Sequence, residues 1–255
     1  MTDQYRGPYW IDPSDHEYSF PDVELALREP DGLLAVGGDL SPGRLLQAYR
    51  AGIFPWYSEG QPILWWCPDP RAVLFLADVK VSRSLAKTVA KTDYEITMDT
   101  AFSEVVVRCA GPRKSDQGTW ITEEMFAAYQ KLHELGMAHS VEYWQDGRLA
   151  GGLYGVAIGR VFFGESMFSQ TRDASKVAFV YLSTQLLAWE FPFIDCQIYS
   201  KHLGSLGATR IPRKEFSDLL NRHCDLPTPG GMPGQNSKWS FDPGLPGRVR
   251  ASQGI

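Results

Sequence analysis

Long apolar runs are missing from this chain of 255 residues. None approaches the ~18 residues that a membrane helix needs, so no membrane span is expected. A leader's hydrophobic centre is missing too: the first thirty residues carry Asp3, Asp12, Asp15, Glu17, Asp22 and Glu24, and no secretory signal is expected. Cysteine is sparse. Cys67, Cys109, Cys196 and Cys224 lie far apart with no C-x-x-C pair, which reads as reduced, cytosolic thiols rather than disulfide staples or zinc ligands. Positive charge is not in excess. The formal net charge of −5 argues against an indiscriminate nucleic-acid coat, leaves room for a local basic patch, and would suit a cationic substrate. No internal repeat is visible. What the chain does have is 44% apolar and 13% aromatic residues, eight of them Trp, enough for one large domain or two unequal ones around a sizeable core.

Local signals divide the chain in three. Residues 1–70 read as a small N-terminal unit with a polar, loosely held arm over 1–20. Pro21 to Leu27 suggests a short helix, and Glu29-Pro30-Asp31-Gly32 a turn. Ser41-Pro42 starts a helix, Ser as N-cap and Pro at the first helical position; Leu45, Leu46 and Tyr49 keep its spacing and Gly52 ends it. Trp56, Trp65 and Trp66 then fall in a proline-rich loop system. Residues 71–225 hold longer elements. Strands are expected over Ala72–Leu76, Glu95–Met98, His139–Trp144, Leu149–Ile158, Val161–Phe163 and Phe193–Tyr199, with Asp146-Gly147 at a hairpin turn. Helices are expected over Ser82–Lys91, Phe102–Ala110, Thr122–Leu135, 174–190 with Asp173 as cap, and Lys214–Arg222. A polar, basic loop from Gly111 to Gly118 leads to Trp120. From Pro227 onward, five Pro and six Gly in 29 residues predict a disordered tail, 226–255.

The most informative stretch is Val161 to Lys176, VFFGESMFSQTRDASK, where Glu165 interrupts an apolar strand. Its Gly-Glu-Ser-Met-Phe is half of a G-x-S-x-G elbow without the second glycine, so a serine hydrolase is not indicated. His133-Glu134 with His139 misses the H-E-x-x-H spacing, and Gly136 intervenes, which argues against zinc. Gly151, Gly155 and Gly159 recur on a strand pattern and read as close sheet packing rather than dinucleotide binding.

A second polar intrusion comes in Phe193 to Tyr199. As a strand, it alternates Asp195, Gln197 and Tyr199 on one face against Ile194, Cys196 and Ile198 on the other. Same-face neighbours sit about 7 Å apart, close enough for the Asp195 carboxylate to accept from the Gln197 amide. A solvated sheet face is the plainer alternative, but the apolar flanks favour burial, and a buried Asp needs a partner. Glu165 has its own plain alternative, a carboxylate capping a turn. Trp56 and Trp120 lie beside Gly- and Pro-rich loops, where aromatics stack on bases as readily as they fill a core. Lys80, Arg83, Lys87 and Lys91, spaced three, four and four apart, form one helical stripe, either a solvated face or a track for phosphates.

Together, LREPDGLLAVGGDLSPGRLLQAYRAGIFPWYSEGQPILWWCPDPR, GTWIT, AYQKLHELGMAHSVE, GGLYGVAIG, FFGESMFS…ASK, IDCQ and SLGA resemble the leucyl/phenylalanyl-tRNA–protein transferases, over roughly residues 18–220. The resemblance implies a mixed α/β (α+β) fold: a small N-terminal α/β domain, then a larger domain similar to the acyl-CoA N-acyltransferase (GNAT-like) fold. It also implies transfer of Leu, Phe or Met from aminoacyl-tRNA (Leu-tRNA, Phe-tRNA) to the N-terminal α-amine of proteins starting with Arg or Lys. Such products are marked for N-degron degradation. A cytoplasmic monomer needing no cofactor, CoA or metal is expected. Residue by residue, Asp195 and Gln197 match the family's catalytic pair, and Glu165 its motif carboxylate. Trp56 and Trp120 match aromatics at the aminoacyl-adenosine site, and Leu153, Phe162, Leu182 and Leu186 the apolar pocket for the transferred side chain. Better-studied members have Met and Phe at some of these Leu positions, which leaves the Leu-versus-Phe preference open. Ser200 stands where Asn is expected and is given no role.

The chemistry is attack of a neutral amine on an ester. An α-amino group titrates at about 7.7–8.0, so roughly a tenth or more is neutral at pH 7 and orientation can carry much of the rate. The expected arrangement has Asp195 accepting from the Gln197 NH2, so that the amide oxygen, or the tRNA ribose hydroxyl, receives the proton. A CoA-dependent N-acetyltransferase is the alternative, but the loop Ser169 to Ala174 lacks the glycine that cradles pyrophosphate. A non-enzymatic RNA-binding module is the third reading. If the basic stripe holds the tRNA acceptor stem, Lys87→Glu with Lys91→Glu should weaken tRNA binding and flatten its dependence on salt. Filter binding over a salt series checks this, and unchanged binding removes the stripe from the interface.

Overall fold

The computed structural model describes residues 7–111, 121–228 and 238–252. Strand β1 (Tyr9–Ile11) runs parallel to β2 (Leu33–Gly37). Helix α1 (Pro42–Arg50) begins as its sequence predicts, with the Ser41 hydroxyl accepting from the Arg44 N–H and Pro42 in the first turn. Strands β3 (Phe54–Pro55) and β4 (Leu64–Trp66) complete a four-stranded sheet ordered β1-β2-β4-β3. From residue 7 the expected loose arm is tied down. Beyond the β1 pairing, the buried Arg44 reaches back to the Asp15 carbonyl at 2.6 Å and holds Asp39 at 2.9 Å. The short helix expected near Pro21 shrinks to one 3-10 turn, Val23–Leu25.

A seven-stranded sheet follows, ordered β11-β5-β10-β9-β8-β7-β6. Its members are β5 (Arg71–Phe75), β6 (Glu95–Met98), β7 (Ala138–Gln145), β8 (Arg148–Ile158), β9 (Val161–Ser169), β10 (Phe193–Gln197) and β11 (Thr209–Ile211). Asp146 and Gly147 both take φ near +50 to +70°, +51° and +69°, as a two-residue hairpin between right-twisted strands requires. The remaining helices are α2 (Arg83–Val89), α3 (Phe102–Ala110), α4 (Glu123–Glu134), α5 (Ala174–Ala188), α6 (Lys201–Leu206), α7 (Arg213–His223) and α8 (Leu245–Ser252).

Among the described residues of this sheet only β9 and β10 run parallel, and α5 makes the crossover that a parallel pair needs. Eleven of the fifteen α5 residues are buried, so it is a core helix apolar on nearly every side. Its start differs from expectation. Asp173 sits in the left-handed region (φ +61°) and makes no cap; the Ser169 hydroxyl accepts from the Ser175 N–H at 2.8 Å instead.

The large sheet has a core on each face. On one, Tyr49, Tyr129, Tyr154 and Phe163 join residues of the small sheet in a single cluster. On the other, Leu153, Phe162, Leu182 and Leu186 pack with Trp239, Leu245 and Val249. That corrects the disordered tail over 238–252. Its Pro and Gly count is high, but Trp239, Leu245 and Val249 supply enough apolar surface to dock it. The rest of that tail, 229–237 and 253–255, lies outside the described residues. No described helix is long and apolar enough to cross a membrane.

Candidate active site

Two bulges build the site. Between β8 and β9 the register steps from Tyr154↔Ser166 to Gly155↔Gly164, leaving Glu165 as the extra residue. Between β5 and β10 it steps from Asp195↔Val73 to Gln197↔Ala72, leaving Cys196 extra. A bulge bends its strand and re-aims the neighbouring side chain. Gly155 permits the first of these, because a Cβ there would lie 2.2 Å from the Phe163 carbonyl oxygen. The parallel ladder between β9 and β10 ends at Phe163↔Asp195, so the two strands part just where Glu165 and Gln197 follow.

Strict alternation therefore fails. Gln197 adopts φ +56°, the strand ends there, and Tyr199 lies beyond it under the Arg210 guanidinium at 4.0 Å. The expected Asp195–Gln197 side-chain bond is not formed. Asp195 is fully buried and makes a two-pronged ion pair with buried Arg71, Nε to Oδ1 at 2.8 Å and Nη2 to Oδ2 at 2.7 Å. A carboxylate taken out of water needs a full countercharge, and a neutral amide cannot supply one. Asp195 reaches Gln197 through the backbone: its Oδ1 accepts from the Gln197 N–H at 3.0 Å. Arg71 lies between the rings of Phe54 and Phe216, 4.9 Å and 4.6 Å from their centroids. Burial works against its charge, and Asp195 outweighs that cost, leaving its pKa raised.

The Gln197 amide finds Glu165 instead, Nε2 to Oε1 at 3.1 Å. Glu165 also accepts from Tyr49 (2.7 Å, on Oε1) and Tyr129 (2.6 Å, on Oε2), and the two phenols lie 2.8 Å apart. A carboxylate offers about four acceptor positions, so these three leave one for a substrate N–H. Burial is the largest influence on Glu165 and raises it; the Tyr129, Tyr49 and Gln197 hydrogen bonds oppose, Asp195 adds to the rise, and the result is about 7 against an ordinary 4.5. Burial, with the Glu165 charge second, raises both phenols well above 10, so they stay protonated donors.

Two pockets share this pair. One, of about 270 Å³, is lined by Leu153, Phe162, Phe179, Leu182 and Ile194 together with Glu165 and Gln197. The other, of about 260 Å³, is lined by Phe54, Pro55, Trp56 and Ile198 with the same two polar residues. Trp56 is 43% exposed and packs on Trp66 at 5.8 Å. Cys196 lines both pockets, with burial raising its thiol. Among the described residues no group of three or more His, Cys, Asp or Glu could hold a metal.

With that geometry in place, comparison with known proteins is decisive. The family model described as leucyl/phenylalanyl-tRNA protein transferase matches residues 73–221, and the model for its N-terminal domain matches residues 38–69. The chain belongs to the leucyl/phenylalanyl-tRNA protein transferase family. It is 59% identical over 229 residues to a leucyl/phenylalanyl-tRNA–protein transferase of Nitrosomonas europaea, covering 90% of this chain and 94% of that one. A protein of the same name from Azotobacter vinelandii is 60% identical over 210 residues, 82% and 93% of the two chains. Among solved structures, a GCN5-related N-acetyltransferase from Kribbella flavida aligns with TM-score 0.34 and 12% identity, over 66% of this chain and 60% of that one.

As a member of this aminoacyltransferase family, the chain brings Trp56, Leu153, Phe162, Glu165, Leu182 and Gln197 together at the two pockets. Asp195 stands behind them. Leu186, one turn past Leu182 on α5, is buried in the core and does not line the pocket. Trp120 lies outside the described residues. Lys80, Arg83, Lys87 and Lys91 are exposed, but only Arg83 and Lys87 belong to α2, which stops at Val89; the stripe is not one helix. Ser200, given no role, lines the first pocket and caps α6 through a 3.2 Å bond from the Leu203 N–H.

Sequence reasoning passed over Arg71, Tyr49 and Tyr129. A signal existed for each: a lone Arg opening the apolar run RAVLF, and phenols at core positions of two helices, where a buried hydroxyl requires a partner.

The raised carboxyl has a sign that can be measured. The folded chain keeps the Glu165 proton longer than the unfolded chain does. Its contribution to stability is therefore full below about pH 4.5 and declines as pH rises toward about 7. Glu165→Gln should show less loss of Tm between pH 5 and pH 7.5 than the unaltered chain. Parallel losses in both would contradict the raised value.

Proposed function

We propose that this transferase moves Leu, Phe or, less readily, Met from aminoacyl-tRNA to the N-terminal α-amine of proteins beginning with Arg or Lys, in the cytoplasm and as a monomer. The product would enter N-degron degradation. One observation carries the reading: the Gln197–Glu165 hydrogen bond is the common wall of an apolar pocket and an aromatic one. An aminoacyl-adenosine has that same division, an amino-acid side chain and a base joined at the ester. In this reading Leu153, Phe162 and Leu182 receive the side chain. Trp56 offers its exposed face to the terminal base, with Trp120 the second aromatic by resemblance. Exposed Lys80, Arg83, Lys87 and Lys91 follow the acceptor stem.

The neutral α-amine attacks the ester carbonyl. A C–N bond forms, the C–O bond to the ribose breaks, the ribose oxygen leaves as a hydroxyl, and the nitrogen loses one proton. Gln197 is the group we place against the attacking amine. Its NH2 donates to Glu165, which polarises the amide and directs its oxygen to the amine N–H. Glu165, lifted to about 7, is matched to a group that titrates near 7.7–8.0; it takes the amine proton and passes it to the departing ribose oxygen. Asp195 acts one step removed, by holding the Gln197 backbone in its left-handed conformation. This replaces the amide polarisation first expected from Asp195.

What favours a tRNA donor over CoA is the start of α5. The Ala174 N–H is bonded to the Thr171 carbonyl and the Ser175 N–H to Ser169, while Asp173 pairs with Lys176 at 3.2 Å. The amides that would grip a pyrophosphate are thus already occupied, with a carboxylate among them. A peptide starting with Arg, offered Leu-tRNA, Phe-tRNA and acetyl-CoA together, should gain the mass of Leu or Phe. A gain of acetyl, or none, overturns the proposal. Gln197→Ala and Glu165→Gln should each slow single-turnover transfer by at least about tenfold.

A further inference from the structure

The segment 238–250 follows the region matched by the family model, and it forms a strap across the face of the large sheet that holds the apolar pocket. Its anchor is Trp239, 3% exposed. The Trp239 backbone N–H donates to Asp99 Oδ2 at 2.6 Å, and His139 Nδ1 lies 2.7 Å from the same oxygen. The indole stacks on the His139 ring, 3.7 Å between centroids and 5° from parallel. It also meets Trp189 edge-on at 4.9 Å. Further along, Asp242 accepts from the Trp189 indole N–H at 3.1 Å, and Arg250 donates to the Tyr181 hydroxyl at 3.0 Å.

Trp239 also meets Phe191 edge-on at 6.1 Å and touches Phe162, with ring centroids 6.1 Å apart and planes tilted by 34°. Phe162 is itself 1% exposed and forms a wall of the 270 Å³ pocket. Close-packed interiors transmit a change of volume to the neighbouring side chain. We propose that Trp239 is a specificity-determining, positioning residue: it fixes Phe162 from behind and thereby sets how large an aminoacyl side chain the pocket accepts. The strap fits that task because it is latched at both ends, by Asp99 and His139 at Trp239 and by Tyr181 at Arg250. The indole therefore cannot drift away from Phe162 without breaking buried polar contacts. The inference rests on the reading that the apolar pocket seats the donor side chain.

The test is the ratio of kcat/KM for Phe-tRNA to that for Leu-tRNA with one Arg-starting peptide, well below each variant's Tm. Trp239→Ala leaves room for Phe162 to recede and should raise the ratio at least ~5-fold, since one methylene in an apolar pocket is worth ~10–200-fold. Trp239→Phe, the milder variant, should raise it about twofold and carries the test if the alanine variant does not fold. Val249→Ala trims the same strap in α8 and should leave the ratio unchanged. A ratio unmoved by the Trp239 variants, or moved equally by Val249→Ala, overturns the inference. Phe162→Ala separates the two levels. If it shifts the ratio and Trp239 does not, the strap inference alone fails; if Phe162→Ala leaves it unmoved, the pocket reading fails with it.

Discussion

The buried ion pair between Arg71 and Asp195 is the constraint on which the site depends. It lies where β5, the first strand of the large sheet in chain order, meets β10, and both side chains are fully buried. Two charges out of water are stable together only with good geometry, and here both prongs of the guanidinium reach both carboxylate oxygens. Phe54 from the small sheet and Phe216 from α7 close over the guanidinium faces, so the pair also joins the N-terminal unit to the large sheet. Asp195 then spends one of its oxygens twice, on Arg71 and on the Gln197 N–H. That second bond holds Gln197 in a backbone conformation uncommon for a side chain of its kind. In the proposed mechanism the Gln197 amide is thus aimed by a charge pair that lines neither pocket.

Around that pair the site is a sequence of partners chosen by burial. Glu165 is offered three neutral donors and no cation, so its charge is tolerated rather than favoured, and its proton is held to about pH 7. Asp195, a few residues away in the ladder, receives the cation. Two carboxylates in one site thus have different surroundings, Asp195 against a guanidinium and Glu165 among neutral donors that leave its carboxyl raised.

Much of the fold was legible. Ser41-Pro42, Thr122 and Asp146-Gly147 mark the ends of elements by local chemistry that tertiary packing did not override. Six residues at the pockets were legible as well: Trp56, Leu153, Phe162, Glu165, Leu182 and Gln197. What alternation could not reveal were the two bulges, since an extra residue at Glu165 and at Cys196 breaks the period of two that the reading assumes. Partners distant in sequence were equally hidden. Arg71 and Asp195 are separated by 124 positions, and Tyr49 and Glu165 by 116. Composition misjudged the segment after residue 237 because three apolar side chains, Trp239, Leu245 and Val249, spaced along a Pro- and Gly-rich stretch, are enough to dock it on the apolar core that holds α5.

In the proposed mechanism Asp195 serves stability through Arg71 and transfer through the Gln197 N–H, and one comparison tests that directly. Arg71→Met alone or Asp195→Leu alone strands a buried charge and should cost about 3–5 kcal/mol, while the double replacement removes both charges and should recover most of it. Single-turnover transfer should not recover, because the bond from Asp195 to the Gln197 N–H is still missing. Urea unfolding and single-turnover transfer, measured on the three variants, give the answer. Regained stability with transfer still slowed is the predicted result; transfer restored along with stability would contradict the account.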